Sequence, residues 1–150
     1  MKPITTRTKI LRAAKQLPML TDFGLGVPYG TKIKQRRKAF KVERTKLLSS
    51  TERFEAACEW FKDVEKTVHI NPRHNSYFLK HIAERSIDGH LSNGVFIVAA
   101  IHCGFDVVTA KYYPNVLFNI DEESIKDKHA ESLLHEKNRS DNEVELICNG

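Results

Sequence analysis

The chain is short of the residues that usually announce a chemistry. It has three cysteines, Cys58, Cys103 and Cys148, and no CxxC pair. An odd, scattered set excludes a disulfide framework and the common zinc spacings, and reads as reduced thiols of a cytoplasmic protein. Long apolar runs are missing as well. The longest, Val95 to Ile101, has seven residues, where a membrane span needs roughly 18. No GxSxG elbow presents a nucleophilic serine. Gly24, Gly26 and Gly30 are spaced GxGxxxG, and Gly30-Thr31-Lys32 is not the order of a phosphate-binding loop. With Pro28 among them, residues 22–31 are expected to form a flexible hinge.

Acid is absent from the first 21 residues, and that absence is part of a larger asymmetry. Residues 1–48 hold 13 Lys and Arg against Asp22 and Glu43 alone, residues 49–120 hold 7 against 8, and residues 121–150 hold 4 against 9. The expected organisation follows these boundaries: a basic N-terminal arm (1–48), a globular helical domain with a hairpin (49–120), and an acidic helix with a flexible tail (121–150). The acid-free start also fits an organellar transit peptide, though it lacks the apolar stretch of a secretory signal. A hydrophobic content of 41% with eight Phe excludes wholesale disorder.

The elements follow from periodicity and punctuation. Ile10, Ala13, Ala14 and Leu17 recur at helical spacing until Pro18. Ser49-Ser-Thr-Glu52 has the form of a capping box, and Phe54, Ala57, Cys58, Phe61, Val64 and Val68 then predict an amphipathic helix over residues 50–68. Ser76 is expected to cap a second helix whose inner face is Phe78, Leu79, Ile82 and Ala83. The segment 91–105 is the expected centre of the core. Its Val-Phe-Ile-Val run suits a buried strand, but Ser92 as cap, Ala99-Ala100 and Gly104 as stop favour a helix. Val107 to Tyr113 and Val116 to Ile120, parted by Pro114-Asn115, predict a hairpin. From Asp121 a helix with a thin stripe of Ile125, Ala130, Leu133 and Leu134 is expected, trailing loosely from Asn138. The fold class is thus mainly α with minor β: a helical core, a central buried helix and a short hairpin, in the order of a winged helix-turn-helix.

Function is read from charge. Lys32, Lys34, Arg36, Arg37, Lys38 and Lys41 surround one helix, with Arg44 just beyond. Cations on every side repel one another unless they lie on something anionic. Phosphates are the first candidate, with Tyr29 and Phe40 available for stacking and Arg73 and Lys80 adding to the surface. A nuclear localisation signal or a patch for an acidic protein partner uses the same residues. Major-groove reading by the third helix is disfavoured, because Val95 to Ile101 offers no polar outer face. Five histidines between His69 and His102 lack metal-site spacing, so neither metal nor cofactor is expected. Tyr77, Lys80, His81 and Glu84 share a helix face on which acid–base chemistry is conceivable, a third reading as a small hydrolase.

Asn75-Ser-Tyr-Phe-Leu-Lys-His81, Leu91-Ser-Asn-Gly-Val-Phe-Ile97 and Ile101-His-Cys-Gly-Phe105 together resemble a family of small uncharacterised proteins encoded on bacterial plasmids and integrated elements. The resemblance spans about residues 50–120. It implies a bacterial cytoplasm and a mobile-element setting, where DNA-binding accessory proteins and inhibitors of host factors are both common, and it implies no activity for any residue. The leading expectation is a non-enzymatic protein that binds nucleic acid, DNA or RNA. Its rival is a module that docks on a larger protein complex. No membrane partner is expected.

Overall fold

The computed structural model describes residues 2–149; Met1 and Gly150, the outermost residues of the basic and acidic segments, lie outside them. The architecture is mainly α with a small β part, as the composition and periodicity imply. Its centre is the apolar segment, and it is a helix. Ser92 Oγ accepts from the Val95 amide at 3.0 Å, and every residue from Asn93 to Ile101 is buried. We label the elements in chain order: α1 is Thr6–Ala14, α2 Arg36–Ser49, α3 Thr51–Phe61, α4 Ser76–Ile87, α5 Asn93–His102 and α6 Glu122–Cys148.

Apolar faces of α1, α3 and α4 close around α5. α1 supplies Ile10, Ala13 and Ala14; α3 supplies Phe54, Ala57, Trp60 and Phe61; α4 supplies Leu79, Ile82 and Ala83. Phe96 is the aromatic hub, with ring centroids 4.9 Å from Phe61, 5.7 Å from Trp60 and 5.9 Å from Phe118. Burying each such side chain stabilises the fold by about 1.5–3 kcal/mol.

The first helix expected beyond the arm is shorter than its stripe suggested. It ends at Phe61, and Lys66–Asn71 is instead a strand, β3, rich in the β-branched Thr67, Val68 and Ile70. The expected capping box is not made. Ser49 and Ser50 donate their hydroxyls to the Thr45 and Lys46 carbonyls of α2, so neither caps α3. The hairpin forms as β4 (Val107–Thr109) and β5 (Val116–Ile120), with Val107 opposite Phe118 and Thr109 opposite Val116. β3 pairs with the other side of β5, Lys66 opposite Ile120, giving an antiparallel sheet in the order β3-β5-β4. With α5 covered on all sides, the winged-helix order does not produce a helix free to enter a groove. α4 is capped by Asn75, which accepts from the Phe78 amide at 3.0 Å; Ser76 lies inside and takes the Val116 amide at 3.1 Å.

The N-terminal segment is not a free arm. Besides α1, it contains a small hairpin, β1 (Leu20–Thr21) and β2 (Gly24–Leu25), where a hinge was expected. This hairpin rests on the start of α5, and Gly94 makes that possible. A Cβ at Gly94 would fall on the Thr21 carbonyl oxygen, while its amide donates to the Asp22 carbonyl at 3.1 Å. Gly24, at φ +127°, passes so close to Pro114 that a Cβ there would meet the proline's carbonyl oxygen. α2 then ties itself to the hairpin through the Asp22 amide, which donates to the Glu43 carbonyl at 3.1 Å.

The C-terminal segment is one continuous helix of 27 residues, begun by Asp121, which accepts from the Ser124 amide. It does not trail off at Asn138. Its packed face is Ile125, Lys128 and Ser132; Ala130, Leu133 and Leu134 lie on the outside. α6 runs against α4, where Arg139 and His135 reach Asp88. No helix among the described residues is long and apolar enough to cross a membrane.

Candidate nucleic-acid interface

The docked β1–β2 hairpin, the first turns of α2 and the β4–β5 connection face one another across a groove of about 1040 Å³. Its aromatic residues are Phe23, Tyr29, Phe40, Tyr112 and Tyr113. Three of them are held out to solvent: Tyr29 is 77% exposed, Tyr113 61% and Tyr112 88%. Such exposure leaves large apolar faces unused by the fold. Tyr112 also has φ +66°, a conformation that a bulky side chain adopts only under constraint. Phe23 and Tyr29 meet edge to face at 5.5 Å, and Lys111 Nζ lies 5.0 Å from the centre of the Tyr112 ring.

Arg36 and Arg37 join this aromatic lining. Lys32, Lys34, Lys38 and Lys41 continue the charge along the 3₁₀ turn Ile33–Gln35 and α2, all exposed. Among the described residues, none of these six takes part in an ion pair. The positive field at the groove mouth is therefore uncompensated by the protein itself.

Three residues expected to share this surface are placed otherwise. Arg44 is a structural clamp: Nη1 donates to the Leu20 carbonyl at 2.6 Å and Nη2 to the Ala14 carbonyl at 3.5 Å. Lys80 is only 5% exposed and donates to Glu84 at 3.1 Å, so it is not a surface cation. Burial follows from its place on α4, which packs against α5 and β5. Arg73 is exposed but stands beside Glu122, and it does not line the groove.

The hydrolase face resolves into a hub around Glu84. Its carboxylate accepts from Lys80, from His81 Nδ1 at 2.8 Å and from the Leu91 amide at 2.9 Å, with His90 Nδ1 at 3.3 Å. Burial would push this carboxyl up, but the Leu91 amide and Lys80 outweigh it and hold it below the usual range. A carboxylate so occupied joins the C-terminal end of α4 to the start of α5. Among the described residues, no group of three or more His, Cys, Asp or Glu is placed to hold a metal ion.

Lys111, Tyr112 and Tyr113 line the groove, a place that the amino-acid pattern alone does not assign them. Their basic-aromatic succession is visible, but β-propensity assigns them to a strand, whereas β4 stops at Thr109. Comparison with family models, curated proteins and solved structures finds no match.

Proposed function

We propose that the protein binds single-stranded nucleic acid without catalysis, holding phosphates with its α2 cations and stacking bases on its exposed tyrosines. The observation that carries this is the juxtaposition, in one groove, of Tyr29, Tyr112 and Tyr113 with Arg36, Arg37 and Lys111. Cations release counterions from phosphates, which gives affinity without choice of sequence. Exposed rings stack on any base whose face is free, which a duplex does not offer. DNA and RNA share both features. The bacterial, mobile-element setting that the resemblance implies suits an accessory protein of this kind.

Titration of labelled single strands and duplexes at two salt concentrations tests the proposal. Changing Lys34, Arg36, Arg37 and Lys38 together to Gln is expected to lower the slope of log affinity against log salt by up to about 2.8, at roughly 0.7 for each phosphate no longer neutralised. Tyr112→Ala is expected to weaken single-strand binding by about 1–3 kcal/mol while leaving that slope unchanged. An unaltered affinity and slope in the fourfold variant would end this reading.

One observation favours the rival, a module that docks on a larger complex. The outer part of α6 exposes Leu133, Leu134, Val144, Leu146 and Ile147, none of them needed by the core. Capture of partners after nuclease digestion distinguishes the two: partners released by digestion were held through nucleic acid, and partners released by changing Val144 and Ile147 to Ser were held by α6.

A further inference from the structure

A second cavity, of about 550 Å³, opens beside the groove and shares Phe23, Tyr29 and Pro114 with it. The fold has built it from distant segments: Asp22 and Glu43 on one side, Tyr77 from α4, and Asn93 at the start of α5. Lys80 and His90 also line it but both lie against Glu84, and the rest of its polar lining is rich in acceptors. Asp22 Oδ1 takes the Ser92 hydroxyl at 2.8 Å, and no bond is made to its other oxygen among the described residues. Glu43 stands next to it, with Lys46 as its one side-chain partner among the described residues, at 2.8 Å. Asn93 is 6% exposed; its Nδ2 donates to Asn115 Oδ1 at 2.9 Å and to the Pro114 carbonyl at 3.3 Å, but its Oδ1 is buried without any donor. Asn93 thus brings one more acceptor to the lining.

The cavity therefore asks for a flat group with aromatic faces and an edge of adjacent donors. Of the common bases, guanine alone presents two neighbouring donors, N1–H and N2–H, on its Watson–Crick edge. One carboxylate accepts both at once. Adenine and cytosine set one donor beside an acceptor, which two carboxylates repel. We propose that this cleft takes a guanine base from the strand lying in the groove, with Asp22 accepting from the base edge and Tyr29 and Tyr77 flanking its faces. The proposal rests on the single-strand reading above and adds to it a preference among bases.

Fluorescence anisotropy tests it with an oligothymidylate of about 12 nucleotides, within the span of one binding groove, whose central base is thymine, guanine, hypoxanthine or adenine. The guanine strand is expected to bind about tenfold more tightly than the thymine and adenine strands. Hypoxanthine, which lacks the N2 amino group, falls between them. Asp22→Asn brings the guanine strand level with the thymine strand measured on the same variant. Should that variant fail to fold by circular dichroism, the series of strands on the unaltered protein decides the matter. Equal affinity for all four strands overturns the guanine site and leaves the groove standing. Failure of every strand to bind removes the groove, and the guanine site with it.

Discussion

Lys80 and Arg44 look in the sequence like two more members of a basic surface, yet each is consumed by an internal contact. Their fates separate charge that holds the fold from charge left for a partner. Lys80 lies buried against Glu84, so Glu84→Ala strands an unpaired ammonium and is expected to cost about 3 kcal/mol in a urea melt. Lys80→Met keeps the volume and should cost less. The pairing was legible, since Lys80 and Glu84 are four apart on a helix; its depth was not, because it depends on how α4 packs against α5 and β5. Cys103 makes a similar point. The hydrogen bond from Cys58, with Lys66 nearby, overcomes burial and draws its thiol down to about 7. Alkylation of Cys103 by iodoacetamide, followed on its own peptide by mass spectrometry, is expected to accelerate as pH rises through about 7, and to do so less in Cys58→Ser. An ordinary thiol's profile, rising near 8.5, would refute the coupling.

At the scale of elements, α5 was readable and its neighbours less so. Seven apolar residues with a serine cap and a glycine stop identify a buried helix, and Phe96→Ala at its centre is expected to lose about 3–5 kcal/mol of stability. The boundary between α3 and β3 was illegible because Val64 and Val68 happen to extend the helical stripe. What ends the helix is tertiary, the free edge of β5, which Lys66–Asn71 pairs with across 47 or more residues of chain. For the candidate interface, the α2 cations were plain in the sequence. The tyrosines of the β4–β5 connection were not, since only the sheet's register brings that loop to face α2. α6 carried its cap openly in Asp121, but a stripe at helical spacing did not reveal which of its faces would find α4.

For the molecule as a whole, acid is the expected route to unfolding. Asp63 beside Lys128, Glu84 in its hub, Asp88 beside His135 and Arg139, and Glu122 beside His74 all have carboxyls held below their usual range. Each contributes stability that is present above the ordinary carboxylate range and is lost as pH falls through the lower folded value. Asp22 acts in the opposite sense, since burial raises its carboxyl, but it is one against four. Melting temperature is therefore expected to drop between about pH 5 and pH 2, and Glu84→Gln to flatten that drop; an acid-stable protein would contradict the hub. The close approach of Gly94 to Thr21 has a different consequence, in time rather than in charge. Both cavities have one wall from the first quarter of the chain, so neither exists until that quarter has docked on a helix some 70 residues later in sequence. Any ligand that spans them binds the docked form alone and slows its opening. Hydrogen exchange of the Gly94 amide, whose acceptor is the Asp22 carbonyl, reports that opening directly, and occupancy of the groove is expected to read out as its protection.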